Sequence, residues 1–215
     1  MHDRDCPPVA LRSTRMHQIL KSLARAVAFV LVLPALASYA VRARVIGRDR
    51  ALEGSTQALS LIPGILGQYL RRAFLARTIR FCHPTAAICF GTIFSQTDAR
   101  IDADVYVGPG CVLGRVHLER NVLVGSCVQI TSGRHTHGSA DAAVPMREQE
   151  GARALVRIGE GAWIGSAAVV MADVGSHSIV GAGSVVTRPL PDLIVAAGAP
   201  ARVIRSRADV GATSR

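Results

Sequence analysis

The chain has 215 residues, enough for one domain with an additional N-terminal segment. Its 25 Lys and Arg residues outnumber its 15 Asp and Glu residues, which gives a net charge of +10. Aromatic residues make up only 4% of the sequence, too few for a surface on which nucleic-acid bases stack. Because the basic residues cluster beside the most apolar stretches, the charge predicts a membrane surface rather than a nucleic acid as partner.

Five cysteines are present, an odd number whose spacings do not match the paired motifs of metal or redox sites. This pattern predicts free thiols in a reducing compartment and no bound metal. Cys111 falls at an inward position of the repeat described below, so we expect it to be a small core residue.

Residues 1–50 form a basic segment around a stretch without charge, Ala26 to Val41. As a helix this stretch spans about 24 Å, less than a hydrocarbon core of about 30 Å, and Pro34 lies in its middle. Lys and Arg residues lie on both sides of it, which favours an in-plane or re-entrant membrane anchor over a single span. The alternative is a secretory signal peptide cleaved between Ala37 and Ser38.

Residues 51–80 are predicted to contain a basic amphipathic helix. Apolar residues recur at helical spacing from Ile65 to Phe74, and arginines occupy the other faces. Such a helix can cover the open end of a repeat structure, or it can lie on a membrane surface, and the two roles are compatible.

Residues 81–187 are organised by a six-residue repeat, which is clearest from Ile101 onwards. An Ile, Val or Leu residue marks each repeat: Ile101, Val107, Leu113, Leu118, Val124, Ile130, Ile158, Ile164, Val170, Val174, Val180 and Val186. The residue after each of these anchors is usually Gly, and two steps, Leu113–Leu118 and Val170–Val174, are shorter than six. This period is typical of short strands joined by turns, with three repeats in one triangular coil.

We expect successive coils to stack at about 4.8 Å, with each anchor on the one about eighteen residues earlier. About four coils must cooperate, because one coil does not bury its own apolar edge. An antiparallel sandwich is the alternative. It is disfavoured because its strands alternate apolar and polar residues at every second position.

The repeat stops after Ile130 and resumes at Ile158, with a loop at 131–157 between them. We expect Ile130 and Ile158 to share one sheet, and we expect the loop to project from one edge of the coils. Long loops in compact folds are often functional, and this one carries His135 and His137 beside glycines. An imidazole in that position suits a general base near neutral pH, although two exposed histidines without a role are the alternative.

The repeats and the His loop, together with three further motifs, resemble the hexapeptide-repeat acyltransferases. The motifs are Ala162-Trp163-Ile164-Gly165-Ser166, Gly181-Ala182-Gly183-Ser184-Val185-Val186-Thr187 and Ala197-Gly198-Ala199-Pro200-Ala201-Arg202-Val203-Ile204-Arg205. The resemblance covers about residues 83–206 and is strongest to the maltose and galactoside O-acetyltransferases and the bacterial polysaccharide O-acetyltransferases. It implies a left-handed parallel β-helix and a homotrimer with its sites between subunits.

The resemblance also implies acetyl-CoA as co-substrate, His135 as the general base and His137 as the reserve candidate. By motif, the donor groove would be lined by Ser166, Gly181, Ala182, Thr187 and Arg188. In the C-terminal tail, 188–215, Arg202 and Arg205 would face the nucleotide phosphates, a role that suits arginine. The carboxylate that orients His135 stays open among four candidates: Asp102, Asp104, Glu119 and Asp141.

The sequence therefore predicts an acetyl-CoA-dependent O-acetyltransferase on the cytoplasmic face of the inner membrane. Its predicted acceptor is a sugar of a lipid-linked glycan or an exopolysaccharide precursor, and its partners are the acceptor, acetyl-CoA, the membrane surface and two further copies of the chain. One alternative is an acetyltransferase of a small molecule such as serine or an antibiotic. Another is a β-helical scaffold or a metal-site protein such as a carbonic anhydrase, which would need His residues converging from adjacent coils.

Overall fold

The computed structural model describes residues 15–136, 138 and 141–208 of the chain. These residues form three helices followed by a parallel β-helix, so the predicted mainly-β fold with N-terminal helices is confirmed. The helices are α1 (Arg15–Ile46), α2 (Arg48–Ser60) and α3 (Gly64–Thr78).

Helix α1 is longer than the uncharged stretch predicted from the sequence and continues through Pro34. It buries one stripe, Ala28, Val32 and Tyr39, against the other helices, where the Tyr39 ring meets the Phe74 ring edge-on. Most of its other apolar side chains are exposed. Within residues 20–46, an 18-residue window has a mean hydropathy of 1.9, and by length and composition this helix could cross a membrane.

Helices α2 and α3 cover the first coil of the β-helix. The side chains of Leu52 on α2 and Phe74 on α3 are fully buried and join the same core as the first strands. The hydroxyl of Thr56 donates to the carbonyl oxygen of Phe94 at 3.1 Å, which ties α2 to the sheet edge. The sequence did not distinguish α2 from its neighbours, and the predicted boundary at residue 50 falls inside it.

The buried Arg71 fastens α3 to the turn between α2 and α3. Its Nη1 donates to the carbonyl oxygens of Ile62 at 2.8 Å and Leu59 at 3.1 Å, and its Nε donates to Ile88 at 3.0 Å. Arg71 thus provides donors for two carbonyl groups at the C-terminal end of α2 and for one on the strand Ala87–Ile88. At Gly67 a Cβ atom would lie 1.9 Å from the Ile62 carbonyl oxygen, so this close approach requires glycine.

The β-helix is built from strands of two to five residues. They are β1 (Phe81–Cys82), β2 (Ala87–Ile88), β3 (Ile93–Phe94), β4 (Arg100–Ile101), β5 (Tyr106–Val107), β6 (Val112–Leu113), β7 (Val116–Leu118), β8 (Leu123–Val124), β9 (Gln129–Ile130), β10 (Val156–Ile158), β11 (Trp163–Ile164), β12 (Val169–Val170), β13 (Ile179–Val180), β14 (Val185–Val186), β15 (Ile194–Ala197) and β16 (Arg202–Ser206). A short 3₁₀ turn, Met146–Glu148, lies in the long loop.

The strands form three sheets, and the chain moves to the next sheet at each corner of a triangular coil. Sheet I has the order β1-β4-β7-β10, sheet II β16-β15-β13-β11-β8-β5-β2, and sheet III β14-β12-β9-β6-β3. Bridges from Ile158 to Val174 and from Val174 to Leu190 extend sheet I, which gives about six coils. Strand β16 runs antiparallel to β15 and closes the C-terminal end of sheet II.

The anchors stack as predicted, but the coils vary in length. Leu118 lies beside Ile101, seventeen residues earlier, and Val180 lies beside Ile164, sixteen residues earlier. The coil length differs from eighteen because the corners differ in length, as the two short steps in the repeat indicated. The repeat anchors are buried, and Cys111 is buried among them as predicted.

The expectation that Ile130 and Ile158 share a sheet is wrong. Ile130 belongs to β9 in sheet III, where it pairs with Leu113, and Ile158 belongs to β10 in sheet I, where it pairs with Leu118. Consecutive anchors fall on consecutive sheets, so the loop simply replaces the corner between sheets III and I. The stacking order of the coils is unchanged by the insertion.

The outer surfaces of the sheets differ in character. On sheet II three apolar side chains lie in register across neighbouring strands, Tyr106, Leu123 and Trp163, and each is 42–49% exposed. On sheet I the equivalent row carries the polar residues Arg100, His117 and Arg157. Sheet II therefore presents an apolar row to its surroundings, and sheet I does not.

Candidate functional site

The His loop leaves the β-helix through a neck at the edge between sheets III and I. The backbone N–H of Ala154 donates to Ser132 at 2.8 Å, and that of Ala152 donates to His135 at 2.7 Å. Gly133 has a φ of 82°, and a Cβ atom there would lie 2.9 Å from the Cβ of Ala154. The neck thus fixes the backbone of His135 to the end of the loop that re-enters sheet I.

The His135 side chain is exposed at this neck and is in contact with its neighbour. The Nε of Arg134 donates to the Nε2 of His135 at 2.9 Å, and the Nη1 of Arg134 lies 3.5 Å from the carbonyl oxygen of Thr187. A ring nitrogen that accepts a hydrogen bond carries no proton, so Nε2 is the basic nitrogen of the ring in this arrangement. Arg134 must release it before it can accept a proton from a substrate. His137, the reserve candidate, lies outside the described residues.

The four carboxylates considered as partners of His135 have other partners or lie elsewhere. Asp102 Oδ2 bonds His117 Nε2 at 2.9 Å, and Glu119 Oε1 accepts from Arg157 Nε at 2.6 Å. The Asp141 carboxylate accepts from the N–H of Ala143 at 2.8 Å, and Asp104 lies at a corner between sheets I and II. In the part of the chain that the structure describes, none of the four hydrogen-bonds His135.

The Asp102–His117 pair is a second imidazole site, on the outer face of sheet I. Partial burial of the carboxyl group opposes its ionisation, but hydrogen bonds from His117 and Arg100 outweigh that effect and lower the pKa of Asp102. The pair is therefore held as a carboxylate between two nitrogen donors.

The predicted donor-groove residues lie on two edges of the prism. Ser166, Gly181 and Ala182 occupy the corners between sheets II and III, where neighbouring coils are in close contact: a Cβ at Gly181 would lie 2.8 Å from the Cβ of Ala197. Thr187 follows β14 at the edge between sheets III and I, together with Arg188. Within one chain, the structure brings Thr187 to the His loop and leaves the other group across sheet III.

Arg202 and Arg205 both lie on β16. They are opposite Ala197 and Val195 of β15, and both side chains are exposed at the C-terminal end of sheet II. Arg202 Nη1 donates to the carbonyl oxygen of Ala201 at 3.2 Å. Exposed guanidinium groups with remaining N–H donors are suited to an anion.

A cavity of about 570 Å³ lies beside the neck of the loop. One wall comes from the junction of α1 and α2, a second from the outer surface of sheet III, and a third from the loop residues Thr136 and Arg153. Its polar lining includes Arg48, Asp49, Arg50, Glu53, Ser95, Gln96, Gln129 and Thr131. Because Thr136 follows His135 directly, the cavity and the candidate base are adjacent.

Sequence reasoning missed the contribution of α2 to this cavity. The sequence contains an indication of this contribution. Asp49 and Glu53 are the only carboxylates between Asp5 and Asp98, and they are four residues apart on one helical face. Asp49 Oδ1 accepts from the N–H and the hydroxyl of Thr97 at 2.9 and 2.8 Å, which fastens the start of α2 to the β-helix. Glu53 is exposed in the cavity.

The described residues contain no group of three or more His, Cys, Asp and Glu side chains placed to hold a metal ion. Cys82, Cys89 and Cys111 are buried free thiols, and Cys127 is an exposed one. Burial raises the pKa of Cys82 to about 12 and that of Cys111 to about 11, so both remain protonated near neutral pH.

Comparisons with known proteins agree with this architecture. A search against models of protein families finds no match. The galactoside O-acetyltransferase of Escherichia coli (strain K12) is 50% identical over 52 residues, which cover 23% of this chain and 26% of that protein. WbbJ of the same strain, named as an O-acetyl transferase of lipopolysaccharide biosynthesis, is 32% identical over 124 residues, 54% of this chain and 61% of that protein.

A solved galactoside acetyltransferase in complex with coenzyme A superposes with a TM-score of 0.57 and 22% identity, covering 75% of this chain and 82% of that one. This likeness shows the fold. The matched segments span about a quarter and about three-fifths of the two curated relatives. The predicted similarity to galactoside and polysaccharide O-acetyltransferases is confirmed.

Proposed function

We propose that this chain, which has the parallel β-helix fold of the hexapeptide-repeat acyltransferases, transfers an acetyl group from acetyl-CoA to a hydroxyl group of a sugar. The observation that carries the proposal is that His135 directly precedes Thr136, which lines a polar cavity, and hydrogen-bonds Arg134, which lies beside Thr187. The similarity to galactoside O-acetyltransferases supports the reaction class and a sugar as acceptor. The coenzyme A complex of a galactoside acetyltransferase supports the donor.

The reaction needs a base, a bound acceptor and a positioned thioester. In the proposed step, Nε2 of His135 removes the proton of the acceptor hydroxyl while its oxygen forms a bond to the thioester carbonyl carbon. The carbon–sulfur bond then breaks, and the imidazolium returns the proton to the leaving thiolate. The products are the acetyl ester of the acceptor and free coenzyme A.

Arg134 fits this step as a residue that controls access to the base. In the present arrangement its guanidinium group donates to His135 Nε2 and lies close to Thr187. A phosphate or carbonyl oxygen of the donor is a better partner for this cation than a neutral imidazole. Binding of acetyl-CoA along the edge of sheet III would therefore draw Arg134 away and leave Nε2 free.

The cavity beside the loop is the proposed acceptor site. It carries both carboxylate and guanidinium groups, together with the amides of Gln96 and Gln129. Such a mixed lining suits a neutral ligand with many hydroxyl groups better than an ion of one sign. One of its walls is the junction of α1 and α2, so an acceptor attached to a membrane lipid would reach the base from the helical side.

We place the enzyme on the cytoplasmic face of the inner membrane, with a lipid-linked glycan or polysaccharide precursor as acceptor. The exposed apolar side chains of α1 support membrane association, and the likeness to WbbJ supports a glycan. We also propose a homotrimer, because the apolar row of sheet II, Tyr106, Leu123 and Trp163, is exposed in a single chain. A trimer would place the II–III edge of one copy near the III–I edge of the next, uniting Ser166, Gly181 and Ala182 with Thr187 and Arg188.

The reaction is tested by following thiol release from acetyl-CoA by the full chain in neutral detergent, with galactosides and with membrane-extracted lipid-linked glycans as acceptors. His135→Asn is expected to lower kcat about 10²- to 10⁴-fold, the usual contribution of a general base. His83→Asn, a histidine of the first coil, is the control and should retain activity. Undiminished turnover in His135→Asn and in its double variant with His137→Ala would contradict the proposal.

The acceptor site is tested separately through the two substrates. Glu53→Gln should raise the KM for the acceptor and leave the KM for acetyl-CoA unchanged, because the carboxylate faces the cavity and not the III–I edge. Gln57→Ala, one turn further along α2, is the matched control. An equal rise of both KM values would argue against an acceptor site in this cavity.

The trimer is tested by light scattering of the purified protein. Trp163→Glu places a charge in the apolar row of sheet II and should shift the mass from three chains towards one. Ile65→Glu, at an apolar position on α3 that is 73% exposed against 49% for Trp163, should leave the mass unchanged. A wild-type mass of one chain would exclude the trimer.

A further inference from the structure

A second cavity, of about 230 Å³, lies between α1, α3 and the first strand of sheet I. Three arginines line it, Arg25 from α1 and Arg72 and Arg77 from α3, together with the aromatic rings of Phe29 and Tyr69. It shares no lining residue with the cavity beside the His loop. It is therefore a separate feature, formed by the helices rather than by the β-helix.

Among the residues that the structure describes, no acidic side chain balances the positive charge of this cavity. Its lining includes no carboxylate, and none of the ion pairs found among the described residues involves Arg25, Arg72 or Arg77. The sequence explains this, because it has no Asp or Glu at 6–48 or at 54–97. Burial and, to a smaller extent, the nearby charge of Arg25 lower the pKa of Arg72.

Several N–H donors in the cavity have no acceptor. The Nε of Arg25 is buried and hydrogen-bonds to no described group, and Arg72 makes one long bond, 3.4 Å, to the carbonyl oxygen of Ala86. The guanidinium of Arg72 lies over the Tyr69 ring at 4.5 Å, and that of Arg77 lies over the Phe29 ring at 4.9 Å. The rings hold the flat faces of these groups, which leaves their N–H edges free for a ligand.

We propose that this cavity binds the phosphate group of a membrane lipid. Converging guanidinium groups without counter-charges recognise phosphate oxygens through several charge-assisted hydrogen bonds. On α1 the lining residue Phe29 is itself 36% exposed, and Leu33, one turn further along on the same side of the helix, is 44% exposed, so the acyl chains of a lipid can lie beside the cavity. The site is independent of acetyl transfer, because none of its residues takes part in that reaction.

The test uses the full chain purified in neutral detergent and its binding to vesicles of phosphatidylcholine that contain phosphatidic acid. A second set of vesicles contains cholesteryl hemisuccinate, an anionic lipid that carries a carboxylate instead of a phosphomonoester. The wild-type chain is expected to bind the phosphatidic acid vesicles at least tenfold more tightly than the hemisuccinate vesicles. Equal binding to both would overturn the proposal, because it would reflect charge alone.

The triple variant Arg25→Gln, Arg72→Gln, Arg77→Gln should lose this preference. A control triple variant, Arg44→Gln, Arg120→Gln, Arg147→Gln, removes the same charge from exposed positions outside both cavities and should keep it. An equal loss in both variants would contradict a specific site. Inorganic phosphate at millimolar concentration should not displace the vesicles, and full displacement would instead assign the cavity to free phosphate.

A second variant guards against a folding defect in the triple variant. Ala76 lines the cavity and is exposed, so Ala76→Phe fills the cavity while every charge and buried contact remains. It should abolish the preference for phosphatidic acid with an unchanged thermal unfolding midpoint. Retention of the preference in Ala76→Phe would show that the lipid binds elsewhere.

Discussion

The N-terminal helices and the β-helix use apolar residues in opposite ways. In the β-helix an apolar residue recurs about every six positions, and every repeat anchor is buried inside the triangular coils. In α1 the apolar residues are continuous, so only one stripe packs on α2 and α3 and the rest remain exposed. The difference teaches that periodicity, not apolar content, decides whether a segment completes its own core.

The two regions also differ in net charge. Residues 1–97 contain 13 Lys and Arg against 4 Asp and Glu, and residues 98–215 contain 12 against 11. Nearly all of the net charge of +10 thus belongs to the helical region and the first coil. A region that is both basic and apolar on its surface is suited to an anionic membrane, whereas the near-neutral β-helix is complete without one.

The largest difference in stability between the two regions is expected when one apolar residue in each region is replaced by aspartate. Ile164→Asp places an unpaired charge inside the coils and should prevent folding, since the cost is several kcal/mol against a total stability of about 5–15 kcal/mol. Val30→Asp lies on the exposed face of α1, where the side chain is 61% exposed, and should change the stability by no more than about 0.5 kcal/mol. Circular dichroism melts measure both.

Binding to membranes provides a second test of the exposed face of α1. Val30→Asp is expected to weaken binding to phospholipid vesicles, because its charge enters the exposed apolar face of α1, which we propose contacts the lipid. If Val30→Asp melts like Ile164→Asp, the exposed face of α1 is packed against protein and the contrast between the regions disappears.

A smaller effect is expected at the junction of the two regions. Arg71→Met removes the guanidinium group that satisfies the carbonyl oxygens of Leu59, Ile62 and Ile88. The loss of these charge-assisted hydrogen bonds should reduce the free energy of unfolding by about 2–4 kcal/mol, measured by urea titration. Arg80→Met, an exposed control just after the end of α3, should stay within about 0.5 kcal/mol. Equal values for the two would mean that Arg71 only fills space.

The sequence was sufficient to predict the β-helix, but it was not sufficient to predict how the N-terminal helices meet the β-helix. The six-residue period predicted the fold and the burial of the anchors, because each repeat reports the environment of its own side chain. It did not predict that α2 forms a wall of the cavity beside His135, since that contact depends on how Asp49 meets Thr97 across 48 residues. It also did not predict that Asp102 pairs with His117, because coil lengths of sixteen to nineteen residues shift which corner groups become neighbours.

The smallest effect on stability is expected at acidic pH, where the two regions should also differ. Of the 15 carboxylates, 11 lie in residues 98–215, so acid-sensitive stability should reside in the β-helix. The folded pKa of Asp102 lies below its ordinary value of 3.8, because hydrogen bonds from His117 and Arg100 outweigh the effect of burial. A lowered pKa stabilises the fold above the unfolded value, and this contribution is lost as the pH falls through the folded value.

Asp102→Asn should therefore be less stable than the wild type at pH 7, by at most about 1 kcal/mol for a partly exposed pair. The difference should shrink as the pH falls below 3.8 and disappear below the lowered folded pKa, where the carboxyl group of the native protein is also neutral. Urea titrations of both proteins from pH 7 to pH 3 measure it, with Asp98→Asn as the control, because Asp98 is more exposed in its ion pair with Arg115. A difference that stays constant with pH would mean that the pair acts through packing. In that case the contrast between the two regions would rest on the apolar anchors alone.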